Sequence, residues 1–265
     1  MKKRTASILL AILMTLSLLP LPAWAAEIDT PEEPVAAAEP QLTGQAAAEE
    51  APIPEETIEQ EEITVQTDGS VIASGECGAD GDNVLWTLDD QGVLTITGEG
   101  DMADYNGNNG GPFYLYRNDI KSVCFSGGIT TIGNYAFYDC INLSEVVIPD
   151  SITAIGKYAF NRCTSLVEVV IPDSVTLIDD DAFNSCHELT AVTMGKGVIG
   201  IGNSAFSDCW NLTGIVLPDS VIIIGTYAFG SCSMLSTVEF FGNAPTILRN
   251  AFNNVASNFT IFYHS

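Results

Sequence analysis

Six Ala-Phe pairs recur through the second half of the chain at one fixed interval, and no other feature restricts the fold so tightly. Their phenylalanines are Phe137, Phe160, Phe183, Phe206, Phe229 and Phe252, each 23 residues after the last. Cysteines follow the first five pairs in the same register, as Cys140, Cys163, Cys186, Cys209 and Cys232. Leucines follow those, as Leu143, Leu166, Leu189, Leu212 and Leu235. An isoleucine stands four residues before each alanine, from Ile132 to Ile247. A period in the twenties held over six copies specifies a solenoid: one unit cannot bury its apolar face alone, and stacked units share a continuous core.

Each unit can be read physically. In the stretch 143–148 the inward set is Leu143, Val146 and Ile148, alternating with Glu145 and Val147 as a short strand requires. Pro149-Asp150-Ser151 ends that strand, because proline lacks a ladder donor and Asp and Ser favour turns. Ile152 to Gly156 then turns towards a second inward face. Ala159, Phe160 and Cys163 are expected to fill the interior from a short helical or 3-10 segment on the far side, which makes the predicted fold an α/β solenoid. The partial coil Ile120, Val123, Phe125 aligns with Leu143, Val146, Ile148 at the same period.

Before the repeats the chain changes character twice. Lys2, Lys3 and Arg4 precede the apolar run Ile8–Leu19, and Ala23-Trp24-Ala25 follows as a small-x-small site, the layout of a secretory signal peptide over 1–25. The run is too short to span a bilayer, so no membrane insertion is expected after cleavage. Residues 26–66 carry twelve acidic side chains, five prolines and no Lys, Arg or aromatic. Such a segment cannot bury enough apolar surface to offset its ordering entropy, and is expected to be a disordered acidic linker. Over the whole chain 34 acidic residues face 9 basic ones, a net charge of −25. That balance excludes nucleic acid as a partner, since phosphate contacts need Lys and Arg. The expected organisation is leader 1–25, linker 26–66, an N-terminal β-hairpin cap over 67–119, and the repeat solenoid over 120–265.

The repeated unit Leu-x-x-Val-x-Ile-Pro-Asp-Ser-Val-Thr-x-Ile-Gly-x-x-Ala-Phe-x-x-Cys resembles the leucine-rich repeat of the BspA-like type across residues 120–255. The region before it, with Gly75-Glu76-Cys77-Gly78 and Trp86 to Gly98, is similar to the module that commonly precedes such repeats. Its Asp-x-x-Gly turn between alternating runs reads independently as a β-hairpin. The resemblance implies a secreted or surface-exposed bacterial protein whose repeats bind proteins or host material, and it implies no catalytic activity. The tail Asn258–Ser265 resembles the start of a closing segment that usually runs further, so a truncated C-terminal cap is expected.

The candidate chemistry is sparse. The repeat cysteines should stack one per coil, about 4.8 Å apart, a line of buried thiols rather than a tetrahedral metal cage. Cys77 and Cys124 lie outside that line, and pairing between them is the less favoured alternative. His187 shares a variable slot with Ile141, Thr164, Trp210 and Ser233 and is read as a solvent-side substitution. Asp179-Asp180-Asp181 is read as a solvated turn rather than a Ca²⁺ site. Asp80 and Asp82 begin like a calcium loop but lack its glycine and terminal glutamate. No catalytic residue, cofactor or metal site is assigned. The candidate binding face is the outward strand surface: Glu145, Val147, Glu168, Val170, Thr193, Val216 and Glu239. The expected function is a non-enzymatic interaction or adhesion module for a protein or host ligand. A structural or polysaccharide-binding role in the cell envelope is the alternative, with a surface glycan as partner.

Overall fold

The structure, a computed structural model, describes residues 69–107 and 111–264. The leader and the acidic linker lie outside the described residues. The described chain enters as an antiparallel meander of β1 (Val71–Gly78), β2 (Gly81–Asp89) and β3 (Val93–Asp101). The Asp-x-x-Gly stretch forms the turn between β2 and β3. There the Asp89 carboxylate accepts from the backbone N–H groups of Gln91 at 3.0 Å and Val93 at 2.8 Å. Gly92 closes the turn at a φ of +90°, a value that favours glycine.

β3 runs parallel to β4 (Ser122–Ile132) along most of its length. β4 then belongs to two faces at once. Its first residues pair with β5 (Glu145–Val146) and its last with β6 (Ala154–Ile155). Val123 lies opposite Val146, the register that the period predicts for the partial coil. The strand turns its corner at Gly127-Gly128. Gly127 lies opposite Gly98 at a φ of +95°, and a Cβ there would stand 2.3 Å from the Gly98 carbonyl oxygen. Any side chain at 127 would force the two strands apart.

Each later coil adds a strand to both faces. The first face continues through β7 (Glu168–Val170), β9 (Ala191–Thr193), β11 (Gly214–Leu217), β13 (Thr237–Phe241) and β15 (Thr260–His264). The second continues through β8 (Leu177–Ile178), β10 (Gly200–Ile201), β12 (Ile223–Ile224) and β14 (Thr246–Ile247). Coil-to-coil pairing is parallel, with Ile155 opposite Ile178 and Ile178 opposite Ile201. Between the faces, Ile152, Val175 and Val221 donate back to the carbonyls of Pro149, Pro172 and Pro218, the turns signalled by Pro-Asp-Ser.

The third side of the coil corrects the α/β expectation. Among the described residues the helical piece is a 3-10 turn at Tyr114–Tyr116, ahead of the first coil. Each coil instead makes two tight turns, with a non-glycine residue at positive φ in each, as at Tyr158 (+56°) and Arg162 (+63°). A left-handed residue at every fourth position interrupts the i→i−4 bonding of a helix. Alternate N–H groups of that side point along the solenoid instead. Tyr158 donates to the Asp180 carbonyl at 3.0 Å, Phe160 to Ala182 at 2.7 Å, and Arg162 to Asn184 at 2.8 Å. Between them Ala159, Asn161 and Cys163 donate within the coil to Gly156, Tyr158 and Phe160, so the side divides its bonds between its own tight turns and the next coil.

The core is a column of rings. Phe113, Phe137, Phe160, Phe183, Phe206, Phe229 and Phe252 stack with centroids 4.9–5.4 Å apart. Trp86 meets Phe113 edge-on at 5.6 Å at one end, and Phe259 meets Phe252 at 5.3 Å at the other. Beside the rings the repeat thiols are buried as expected, and they also bond. Cys163, Cys186, Cys209 and Cys232 donate to the carbonyls of Phe137, Phe160, Phe183 and Phe206 at 3.1–3.3 Å. Burial pushes the Cys163, Cys186 and Cys209 thiols up, to about 12 for Cys186. All seven cysteines are free thiols, so Cys77 and Cys124 are not joined.

Candidate interaction surface

The first strand face presents its outward residues because every strand alternates. In β7, Glu168 and Val170 are exposed and Val169 between them is buried; in β9, Ala191 and Thr193 flank buried Val192. The fixed period turns this alternation into two rows. One holds Glu145, Glu168, Ala191, Gly214 and Thr237; the other holds Val147, Val170, Thr193, Val216 and Glu239. Strand register places Val170 beside Thr193 and Val216 beside Glu239. Val147, Val170 and Val216 are 47%, 57% and 49% exposed, far more than their apolar character favours. All seven candidate residues therefore lie on one face, as an apolar strip with acid at its edge.

Small residues shape the middle of that face. At Ala191 and Gly214 the first row loses its side chains and leaves an open depression of about 260 Å³, walled by Val216, Thr237, Glu239 and Thr190. The Thr237 hydroxyl occupies the space beside Gly214, where a Cβ would stand 2.6 Å from it. Glu239 is the least free of the candidates, since His264 Nε2 lies 3.0 Å from its carboxylate. Next to that pair Phe241 stacks on His264 at 4.4 Å, and Phe262 and Tyr263 are exposed. Phe262 continues the second row by one further period, 23 residues after Glu239, whereas Tyr263 follows the inward Phe240 and stacks on it at 5.2 Å. The same arithmetic that found the valines reaches Phe262, and the sequence reading stopped one coil short of it.

The other sequence-flagged groups lie elsewhere. The Asp179–Asp181 turn is partly buried and its carboxylates are engaged. Lys157 Nζ pairs with Asp180 at 3.0 Å, and the Asn203 N–H donates to Asp180 at 2.7 Å. Asn184 donates to Asp181 at 2.8 Å. Burial raises Asp179 and Asp181 above the usual carboxylate range. Solvation alone therefore does not describe this turn, in correction of the sequence reading. Among the described residues no three His, Cys, Asp or Glu converge as metal ligands. The Asp82 side chain lies outside the described residues. His187 is on the surface, as expected, but not idle. Its ring lies flat on Trp210, centroids 3.8 Å apart and planes 5° from parallel.

Stacked short parallel strands, one interior phenylalanine per coil and an outward face of fixed rows define the chain as a leucine-rich repeat solenoid. A family model, the BspA type leucine rich repeat region, matches residues 111–235 and 153–264 with six copies, and the chain belongs to that family. The leucine-rich repeat protein of T. pallidum is 26% identical, with a TM-score of 0.50 over 71% of this chain and 82% of its own. Leucine-rich repeat proteins of Bacteroides ovatus (19% identity, TM-score 0.35, covering 69% of this chain and 70% of its own) and Faecalibacterium prausnitzii (20%, 0.33, 74% and 77%) are more distant. The second is described as a cell surface protein. No curated protein matches the chain. The family is a protein-interaction one and generally non-enzymatic. Among the described residues no helix is long and apolar enough to cross a membrane.

Proposed function

We propose that the chain is a secreted or surface-exposed interaction module that holds a protein or host ligand against its first strand face, as an adhesion protein does. The exposed valine row carries this reading: three of its first four outward positions are valines, with Thr193 between Val170 and Val216, beside a depression where the acid row gives way to Ala191 and Gly214. An exposed apolar strip with a polar border is the form that a protein-binding surface takes. The signal-peptide layout of 1–25 supports export, and the acidic linker supports a spacer between the export site and the fold. Pull-down from the natural surroundings with Val147→Glu plus Val170→Glu tests it. Partner recovery should fall by more than tenfold with the fold intact, since two like charges are placed where apolar contact is needed. Unchanged recovery by the folded double variant removes this face.

A structural or polysaccharide-binding role in the envelope is the second reading, favoured by the exposed rings of Phe241 and Phe262 at the end of the same face. Flat apolar rings suit the faces of sugars. Glycan arrays against host-protein arrays separate the two readings.

A further inference from the structure

We propose that Trp210 is a stacking platform for an arginine side chain of a basic partner protein. The inference rests on the protein-interaction reading and adds a second contact chemistry to it, away from the valine strip. The platform lies in the row that follows the cysteine of each coil: Ile141, Thr164, His187, Trp210 and Ser233. Trp210 is 46% exposed, a large apolar surface left to solvent. Two contacts nevertheless hold its ring in place. His187 supports one face at 3.8 Å, and the indole N–H donates to the Asp208 carboxylate at 3.4 Å. An exposed ring fixed before any ligand arrives loses little freedom on binding.

In the next coil the same row carries the small Ser233. That hydroxyl is drawn back to the backbone, donating to the Trp210 carbonyl at 3.5 Å. On the preceding coil this row places a ring against Trp210; on the following coil it places only a hydroxymethyl group. The chemistry around Trp210 is acidic. Asp208 borders the indole N–H, and Glu188 in the neighbouring row accepts from Asn211 at 3.1 Å. The region from residue 67 onward carries 22 acidic and 6 basic residues. A guanidinium is planar, stacks on an indole face and directs N–H donors sideways towards carboxylates. Lysine shares the charge but not the plane, and a sugar shares the stacking but gains nothing from the acid excess.

The test compares an oligoarginine peptide, an oligolysine peptide of equal length and a cello-oligosaccharide, each titrated onto the full chain. Arginine should bind about five- to tenfold more tightly than lysine, the difference one sheltered cation–π contact makes. Trp210→Ala should bring that ratio close to one while lysine binding persists. Ser233→Phe should do the same with the tryptophan still present, by filling the slot from within. The Val147→Glu plus Val170→Glu variant should keep the ratio, so failure here and failure of the strand-face reading are distinguishable. Equal binding of the two peptides by the unaltered chain overturns the proposal. So does a ratio that survives Trp210→Ala, or oligosaccharide binding that depends on Trp210 while arginine shows no preference.

Discussion

At Arg162 the backbone takes a φ of +63°, where an L side chain crowds its own carbonyl, and nothing about the residue's name announces it. Arg162 is exposed, while its N–H holds the 2.8 Å bond to Asn184 in the next coil. The conformation is imposed by that bond, so relief at this position should stabilise. Arg162→Gly is expected to raise stability by about 0.5 kcal/mol, strain relief being partly offset by the greater entropy of the unfolded chain. Arg162→Val is expected to lose more than about 1 kcal/mol, because a β-branched residue resists positive φ. Urea unfolding midpoints check both. A second residue-scale effect belongs to the thiols. Burial holds Cys186 neutral up to about pH 12, against an ordinary value of 9.0. Between those limits the unfolded chain releases a proton that the folded chain keeps. Stability is therefore complete below pH 9 and falls above it, by about 1.4 kcal/mol per pH unit for this thiol. Cys186→Ala should flatten the slope of stability against pH by one proton. At pH 8 the five row thiols should resist alkylation until urea unfolds the chain.

Among the elements, the phenylalanine column shows how unequal identical repeats are. Phe183 is fully buried between two rings, whereas Phe252 at the end of the column is only partly covered. Phe183→Ala should cost about 3–5 kcal/mol, the usual toll of a large core cavity, and Phe252→Ala clearly less; thermal unfolding of the two variants ranks them. The column was legible in the sequence because burial selects a side chain, and a repeated side chain can be counted. Phe113 escaped that count because it lies 24 residues before Phe137 and follows a proline rather than an alanine. The two turns on the third side escaped for a different reason. Tyr135, Tyr158, Asp181, Ser204, Tyr227 and Asn250 share a positive φ and no chemistry, so the requirement lives in the backbone and leaves no common letter. The interaction rows were legible by period alone. The His187–Trp210 pair was not, because both residues occupy one variable slot and their contact depends on neighbouring coils that differ.

For the molecule as a whole, charge and length separate. The acid of the full chain is concentrated partly in residues 26–66, which hold twelve of its 34 acidic side chains. Binding at the valine strip should therefore change little with salt, whereas binding at the acid-bordered Trp210 should weaken steeply. Comparing the two at low and high ionic strength checks this. The entry strands matter at this scale too. β3 covers β4 from Val93 opposite Ser122 to Asp101 opposite Thr131. Removing residues 71–101 should leave that edge open and give concentration-dependent association, measurable by light scattering. The hydrogen bonds between coils carry one further consequence. On the turn side, Tyr158, Phe160 and Arg162 donate forward to the following coil; on the flanks, Thr176, Asp179 and Thr190 donate backward to Thr153, Ile155 and Val167. The peptide dipoles of the two sides therefore oppose each other. In a long helix aligned peptides accumulate polarity towards the ends. Here forward and backward bonds occur together in each repeat, so their dipoles oppose each other along the axis instead of adding. Adding or removing a coil therefore builds up less end polarity than lengthening a helix does, and copy number can vary at a smaller electrostatic cost.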